Sequence, residues 1–186
     1  MQNLPTTLEQ WDGYEFEDIS ELVVERGYID HWLEAMRDAN PLYWDEDTAK
    51  EIADGIVAPP AMLVTWLLSP RWSPRRPDEI WDVHADPAAG GFQPRRVPIE
   101  AHYRLKEFLG LKEGIVAGNE MEFYTPVRLG DRLRTISKAC EIGEERTNRL
   151  GTGRPWTIEV RYLNQRDEQV GIERYRFFSY NRKAES

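Results

Sequence analysis

Cysteine is nearly missing from this chain. Cys140 is the only one in 186 residues. No internal disulfide framework can form, nor can this chain alone build a thiolate metal cluster. Free Cys140 lies in a strand-like run and reads as plain packing. Histidine is almost as scarce, and His31, His84 and His102 have no metal-ligand spacing. All three read as structural or solvated residues. Neither common nucleotide loop is present, GxGxxG or GxxxxGK followed by Ser or Thr. The GxSxG nucleophile elbow is absent too. The longest nearly unbroken apolar run, Ile56 to Leu68, falls short of the roughly 18–20 residues that cross a bilayer. Positive charge is in deficit: the net charge is −9, which argues against a nucleic-acid partner. The acidic first residues contain no apolar leader region, so a cytoplasmic location is expected, with no membrane partner.

What remains is ordinary globular composition, 40% hydrophobic and 31% charged, enough for one domain with a sizeable core. Residues 1–13 read as a loose extension and 14–182 as a single domain. Ile29, Trp32, Leu33 and Met36 fall at i, i+3, i+4, i+7, the stripe of an amphipathic helix. Pro41 disfavours helical geometry at Asn40 and closes it. "DEDTAKEIAD" predicts a second, short helix stopped by Gly55. In "GIVAPPAMLVTWLLSP" two prolines precede the most apolar segment of the chain. Proline suits a first helical turn, and a helix apolar on most sides is buried. This predicts a central helix over about 59–68.

Residues 71–96 hold no period and are rich in Pro and Gly, which predicts a long loop. Two arginine pairs, Arg75–Arg76 and Arg95–Arg96, flank it, suited either to phosphates or to ordinary solvated surface. After residue 97 the period becomes two. "VPIEAHYRLKEF", "GIVAGNEMEFYTPVRLGD", "RLRTISKACEIG", "RPWTIEVRYLNQRDEQV" and "GIERYRFFSYNR" all read as strands. Gly130-Asp131 and Arg166-Asp167 read as turns, and "RLGTGR" as a bulge or hairpin. An apolar helix followed by a run of long strands gives an α+β fold, with the antiparallel sheet wrapped around the helix.

One stretch, "RDANPLYWDED", holds a carboxylate just ahead of Asn-Pro. Asp38 there has two readings. It can be half of an acid/base pair, or it can tie down the turn through side-chain to backbone hydrogen bonds.

Five segments in order, "HWLEAMRDANPLYWDEDTA", "GIVAPPAMLVTW", "LGLKEGIVAGNEMEFYTPVRLGDRL", "RLGTGRPWTIEVRYLNQ" and "RYRFFSYN", resemble the MaoC-like hot-dog family. Within it they are most similar to the FAS1-like, or N-terminal MaoC, dehydratase domain. The resemblance covers residues 14–182 and implies a hot-dog fold around the helix at 59–68. The family's hydratase pattern is Gly-Asp-x-Asn-Pro-x-His. Here Arg37 stands at the glycine, Asp38 at the aspartate, Asn40-Pro41 are kept, and Tyr43 replaces the histidine. The family's His-Gly pair, whose glycine amide faces the thioester carbonyl, corresponds to Pro59 and Pro60. Asn40, Pro59, Pro60 and Met62 are thus expected at the substrate pocket. Arg75, Arg76, Arg95 and Arg96 are expected at CoA phosphates.

Hydrating an enoyl thioester needs a base for water, an acid for C2 and donors for the enolate oxygen. A tyrosine with a pKa of about 10 is a poor base at neutral pH, and proline has no amide hydrogen to donate. The resemblance therefore implies a degenerate subunit, like those of heteromeric steroid side-chain enoyl-CoA hydratases. Its partner would be a second MaoC-like subunit with an intact Asp/His pair, in a heterodimer or heterotetramer. No resident cofactor is implied, the CoA thioester being substrate. Two alternatives stand beside it: a homodimeric hydratase or dehydratase in which Asp38, Tyr43 or a displaced histidine does the work, and a non-catalytic acyl-CoA-binding protein.

Overall fold

A computed structural model describes residues 4–68 and 98–183. The chain runs α1 (Leu8–Trp11), β1 (Glu15–Ile19), α2 (Arg26–Met36), a short 3-10 turn (Pro41–Tyr43) and α3 (Glu46–Ala53). A 3-10 helix (Pro60–Leu67) and α4 (Glu100–Phe108) follow. Then come β2 (Glu113–Phe123), β3 (Arg134–Cys140), β4 (Arg146–Thr147), β5 (Gly151–Leu163) and β6 (Gln169–Arg182). The strands form one open, antiparallel sheet in the order β1-β3-β5-β6-β2, with β4 paired to β5. This is the expected α+β, hot-dog-like arrangement.

The alternation seen in sequence sets the two faces of the sheet. Ile158, Val160 and Tyr162 of β5 are fully buried and point toward the helices. The opposite face carries cross-strand ion pairs, including the chain Glu122–Arg174–Glu159–Lys138. Charges laid out this way keep a sheet face wet. The turns at 130–131 and 166–167 and the β4–β5 hairpin form where expected. Cys140 donates to the Thr157 carbonyl at 3.6 Å, and partial burial pushes its thiol pKa up. Among the described residues no helix is long and apolar enough to cross a membrane.

Four expectations are changed or refined. First, "VPIEAHYRLKEF" is not a strand: residues 100–108 form α4. Its buried side is Ala101, His102 and Leu105, a helical spacing. The run Tyr103-Arg104-Leu105-Lys106 imitates period two, and a histidine does not score as apolar. Second, the helix expected over about 59–68 is there, Pro60–Leu67, and is wound as a 3-10 helix. Third, α3 ends one residue before the expected stop: Asp54 takes the left-handed conformation at φ 59° ahead of Gly55. Fourth, the expected loose extension is anchored at Trp11, which is buried in the core against Phe16 and Phe108.

His102 shows what α4 does. Its ring stacks on Phe177 with centroids 3.8 Å apart, and Nδ1 accepts from Trp156 Nε1 at 3.2 Å. Burial, then the nearby Lys106 charge, lowers its pKa from 6.5 to about 3. The unfolded chain therefore takes up a proton that the folded chain refuses. Stability from this residue is complete above pH 6.5 and falls as pH drops toward 3, by about 1.4 kcal/mol per unit. His102→Phe is expected to flatten the loss of stability between about pH 6 and 4. Urea unfolding at several pH values checks this, and an unchanged slope would remove His102 as its source.

Candidate functional site

Arg37 ends α2 in the left-handed conformation, φ 53°. That is the place where the hydratase pattern carries glycine, the residue that adopts such a backbone without cost. The turn then closes on itself. Asp38 Oδ1 accepts from the Asn40 amide at 3.0 Å, and Asn40 Oδ1 accepts from the Leu42 amide at 3.1 Å. Asp38 thus serves the Asn40-Pro41 turn in the way short polar side chains usually do. The turn presents Tyr43 from its far end. Partial burial raises the Tyr43 hydroxyl pKa first, and the Asp38 charge raises it further, against a hydrogen bond with Asn40. The hydroxyl stays protonated at neutral pH.

Beside Tyr43 lies a cavity of about 190 Å³. The segment after α3 supplies one wall, through Val57, Ala58, Pro59 and Pro60. Its path is pinned by two backbone bonds, Val57 N–H to Leu42 O and Ala58 N–H to Val127 O. The 3-10 helix supplies a second wall. With three residues per turn, side chains at i and i+3 eclipse. Pro60, Leu63 and Trp66 consequently line up, and all three face the cavity. Gly171 of β6 allows the approach of this helix, since a Cβ there would lie 2.6 Å from Leu63 Cδ2. The end of β2 and the loop after it, Phe123 to Val127, make the third wall, and Val170 completes it. Thr125 and the Tyr43 and Tyr124 hydroxyls are its polar edges, and Tyr124 already donates to Glu122 at 2.8 Å.

Of the residues expected at a substrate pocket, the structure brings Pro59 and Pro60 together at this cavity, beside the catalytic-position candidate Tyr43. Asn40 stands behind Tyr43. Met62 faces the core, 2% exposed, and is not part of the cavity wall. Arg75, Arg76, Arg95, Arg96 and His84, with loop 71–96, lie outside the described residues. His31 sits exposed on α2 beside Glu34, away from the cavity. Sequence reasoning missed Leu63, Trp66 and the Phe123–Val127 wall. The i, i+3 apolar spacing from Pro60 was the available signal for the first two. For the third there was none, because "FYTPV" reads as strand continuing into turn.

Comparison with known proteins places this geometry. A probable enoyl-CoA hydratase alpha subunit from Thermomonospora curvata is 30% identical over 156 residues, covering 83% of this chain and 44% of that protein. The 3-oxo-4,17-pregnadiene-20-carboxyl-CoA hydratase alpha subunit of Mycobacterium tuberculosis is 26% identical over 160 residues, covering 84% and 45%. The chain spans about half the length of these curated relatives. Among solved structures, the ChsH1-ChsH2 complex from Mycobacterium tuberculosis superposes with a TM-score of 0.65 at 20% identity, over 91% of this chain and 85% of that one. A MaoC-like dehydratase from Rhodospirillum rubrum superposes at 0.59 and 20% identity, over 95% and 97%. These two share the fold. The FAS1-like, dehydratase domain region matches residues 10–173, nearly the whole chain, and the chain belongs to that family of MaoC-like hot-dog domains.

Proposed function

We propose that this chain is the non-catalytic half of a heteromeric enoyl-CoA hydratase. It shapes the acyl pocket, and a second MaoC-like hot-dog subunit supplies the Asp/His pair. The observation that carries this reading is the Asp38–Tyr43 turn. At the histidine position stands a phenol whose hydroxyl is held above its ordinary range, so it cannot take a proton from water near neutral pH. Asp38 Oδ1 accepts from the Asn40 amide and so serves the turn. Pro59 and Pro60 add no amide N–H for an oxyanion. An apolar cavity with a defunct acid/base set is what a pocket-shaping subunit requires. Both curated relatives are named as alpha subunits of CoA-thioester hydratases, which supports a partner and a lipid or steroid acyl group.

The second subunit has a place to dock. β2 is a sheet edge of eleven residues, exposed along most of its length, with Ile115, Val116 and Phe123 open to solvent. An uncovered edge of this length is a template for another chain. Phe123 also belongs to the cavity wall, so a chain docked there would reach the pocket. We extend the proposal to Arg75, Arg76, Arg95 and Arg96 as contacts to CoA phosphates.

Co-expression with MaoC-like proteins that keep Asp-x-Asn-Pro-x-His tests the reading by native mass measurement. A mixed complex that hydrates an enoyl-CoA is expected. A chain that forms only homodimers with every such candidate, and is active as one, would overturn it in favour of the homodimeric hydratase.

A further inference from the structure

The sheet ends on β1 and β2, and each has a neighbour on one side only among the described residues. Both strands carry acids and no cation: Glu15, Glu17 and Asp18 in β1, and Glu113, Glu120 and Glu122 in β2. The cations that answer them stand further into the sheet. Glu15 meets Arg161 of β5, and Glu17 meets Arg134 of β3. On the β2 edge every answering arginine belongs to β6: Glu113 meets Arg182, Glu120 meets Arg176 and Glu122 meets Arg174. Each of these three bridges runs diagonally, to the arginine two positions past the residue directly opposite. Hydrogen bonds from Arg174 and Tyr124 hold the Glu122 pKa below its ordinary value, so it stays a carboxylate. The ion pairs along β2 are therefore polarised, with the carboxylate on the edge and the guanidinium one strand in.

The two sides of β2 differ. Val116, Met121 and Phe123 stand opposite Phe177, Glu173 and Gly171, on the side that faces the helices. The three glutamates stand on the other side. A strand added at this edge lies about 4.8 Å from β2 and about 10 Å from β6. Its outward side chains meet the glutamates first, while the arginines lie about a Debye length away at physiological salt. Opposite charges directly across two strands stabilise the pair, and like charges destabilise it. We propose that the β2 edge selects its partner by charge. It takes a hot-dog subunit whose pairing strand carries Lys or Arg on the outward side and apolar residues on the helix-facing side, and it disfavours a second copy of this chain. The outward side of a second β2 offers glutamates and no cation in any register, and β1 offers acids as well. Charged edges of this kind also keep an uncovered strand from pairing with its own copies. This inference rests on the docking at β2 proposed above and adds the chemistry of the strand that docks.

The test uses the full chain by itself and reads association, not turnover. Glu120→Gln with Glu122→Gln removes two edge charges and keeps the size of both side chains. The control is Glu34→Gln with Glu51→Gln, which changes the net charge equally at exposed sites on α2 and α3. Sedimentation over a series of concentrations measures self-association at low salt and at about 0.5 M salt. At low salt the edge variant is expected to self-associate about two- to thirtyfold more tightly than wild type, the effect of removing two like-charge contacts across strands. The control should not, and the gain should shrink at high salt. Glu120→Lys with Glu122→Lys, mixed with wild type, is expected to give a mixed pair by native mass that neither chain forms as readily alone. An edge variant that associates no better than the control overturns the proposal. So does a mixture no more associated than its components. If the lysine variant does not fold, the glutamine variant and its control decide alone. No partner subunit and no hydration assay enter, so failure here leaves the co-expression experiment untouched.

Discussion

Withholding the second hot-dog subunit is expected to lower enoyl-CoA hydration by at least about 10²–10⁴, while Asp38→Asn in the assembled enzyme lowers it less than about tenfold. The contrast follows from where the proton work can be done. A catalytic aspartate acts with a base, and the hydroxyl at position 43 remains protonated because burial and the Asp38 charge both oppose its ionisation. The Asp38 carboxylate accepts the Asn40 amide at 3.0 Å, and asparagine keeps an acceptor of nearly the same size there. Substituting the partner's Asp or His should reproduce the loss seen without the partner. Tyr43→His in this chain alone should stay close to inactive, since Pro59 and Pro60 still offer no oxyanion donor. The measurement is steady-state hydration with native mass and ligand binding as controls for assembly. Suppose Asp38→Asn abolishes turnover in a complex that assembles and binds ligand. Asp38 is then catalytic and the pocket-shaping reading falls.

The second large effect is on stability. Glu173 is 2% exposed in the middle of β6. Its two oxygens accept from Tyr162 Oη at 2.5 Å and from Asn119 Nδ2 at 2.8 Å. Burial is the main cause raising the hydroxyls of Tyr162 and Tyr175, and the Glu173 charge adds to it. Both hydroxyls therefore remain protonated, and the Glu173 side chain is the acceptor of Tyr162. Glu173→Ala leaves the buried Tyr162 hydroxyl without its acceptor, at about 3 kcal/mol. For a chain of this size the unfolding midpoint should drop by about 6–12 °C. Glu173→Gln keeps one acceptor oxygen and should cost roughly a third as much. Chemical and thermal unfolding measure both. An alanine variant within about 0.5 kcal/mol of wild type would mean the network contributes nothing net.

Much of the scaffold was readable because it depends on short-range patterns. The Ile158-Val160-Tyr162 alternation marked a strand buried on one face, and β5 is that strand. The Ile29–Met36 stripe marked α2, with its last member, Met36, left 60% exposed. Where pattern and environment disagreed, reading failed. In α4 a buried neutral histidine takes a place that hydropathy assigns to water, and only the contacts with Trp156 and Phe177 reveal it. In Pro60–Leu67 composition announced a buried helix but could not choose between 3.6 and 3.0 residues per turn. That choice decides which side chains share a side, and with it the alignment of Pro60, Leu63 and Trp66 on the cavity.

Some functional properties are covalent and need no fold. Proline at 59 and 60 removes two amide hydrogens in any conformation, and a phenol at 43 is not an imidazole. Those losses, together with the order of the five family segments, are written in the chain. The cavity is not. It gathers residues 42–43, 57–60, 63, 66, 123–127 and 170, segments far apart in sequence that meet only because β2 pairs with β6 and the 3-10 helix packs on Gly171. Local periodicity reports which face of an element is apolar. Which apolar faces meet, and how closely, is settled by long-range packing.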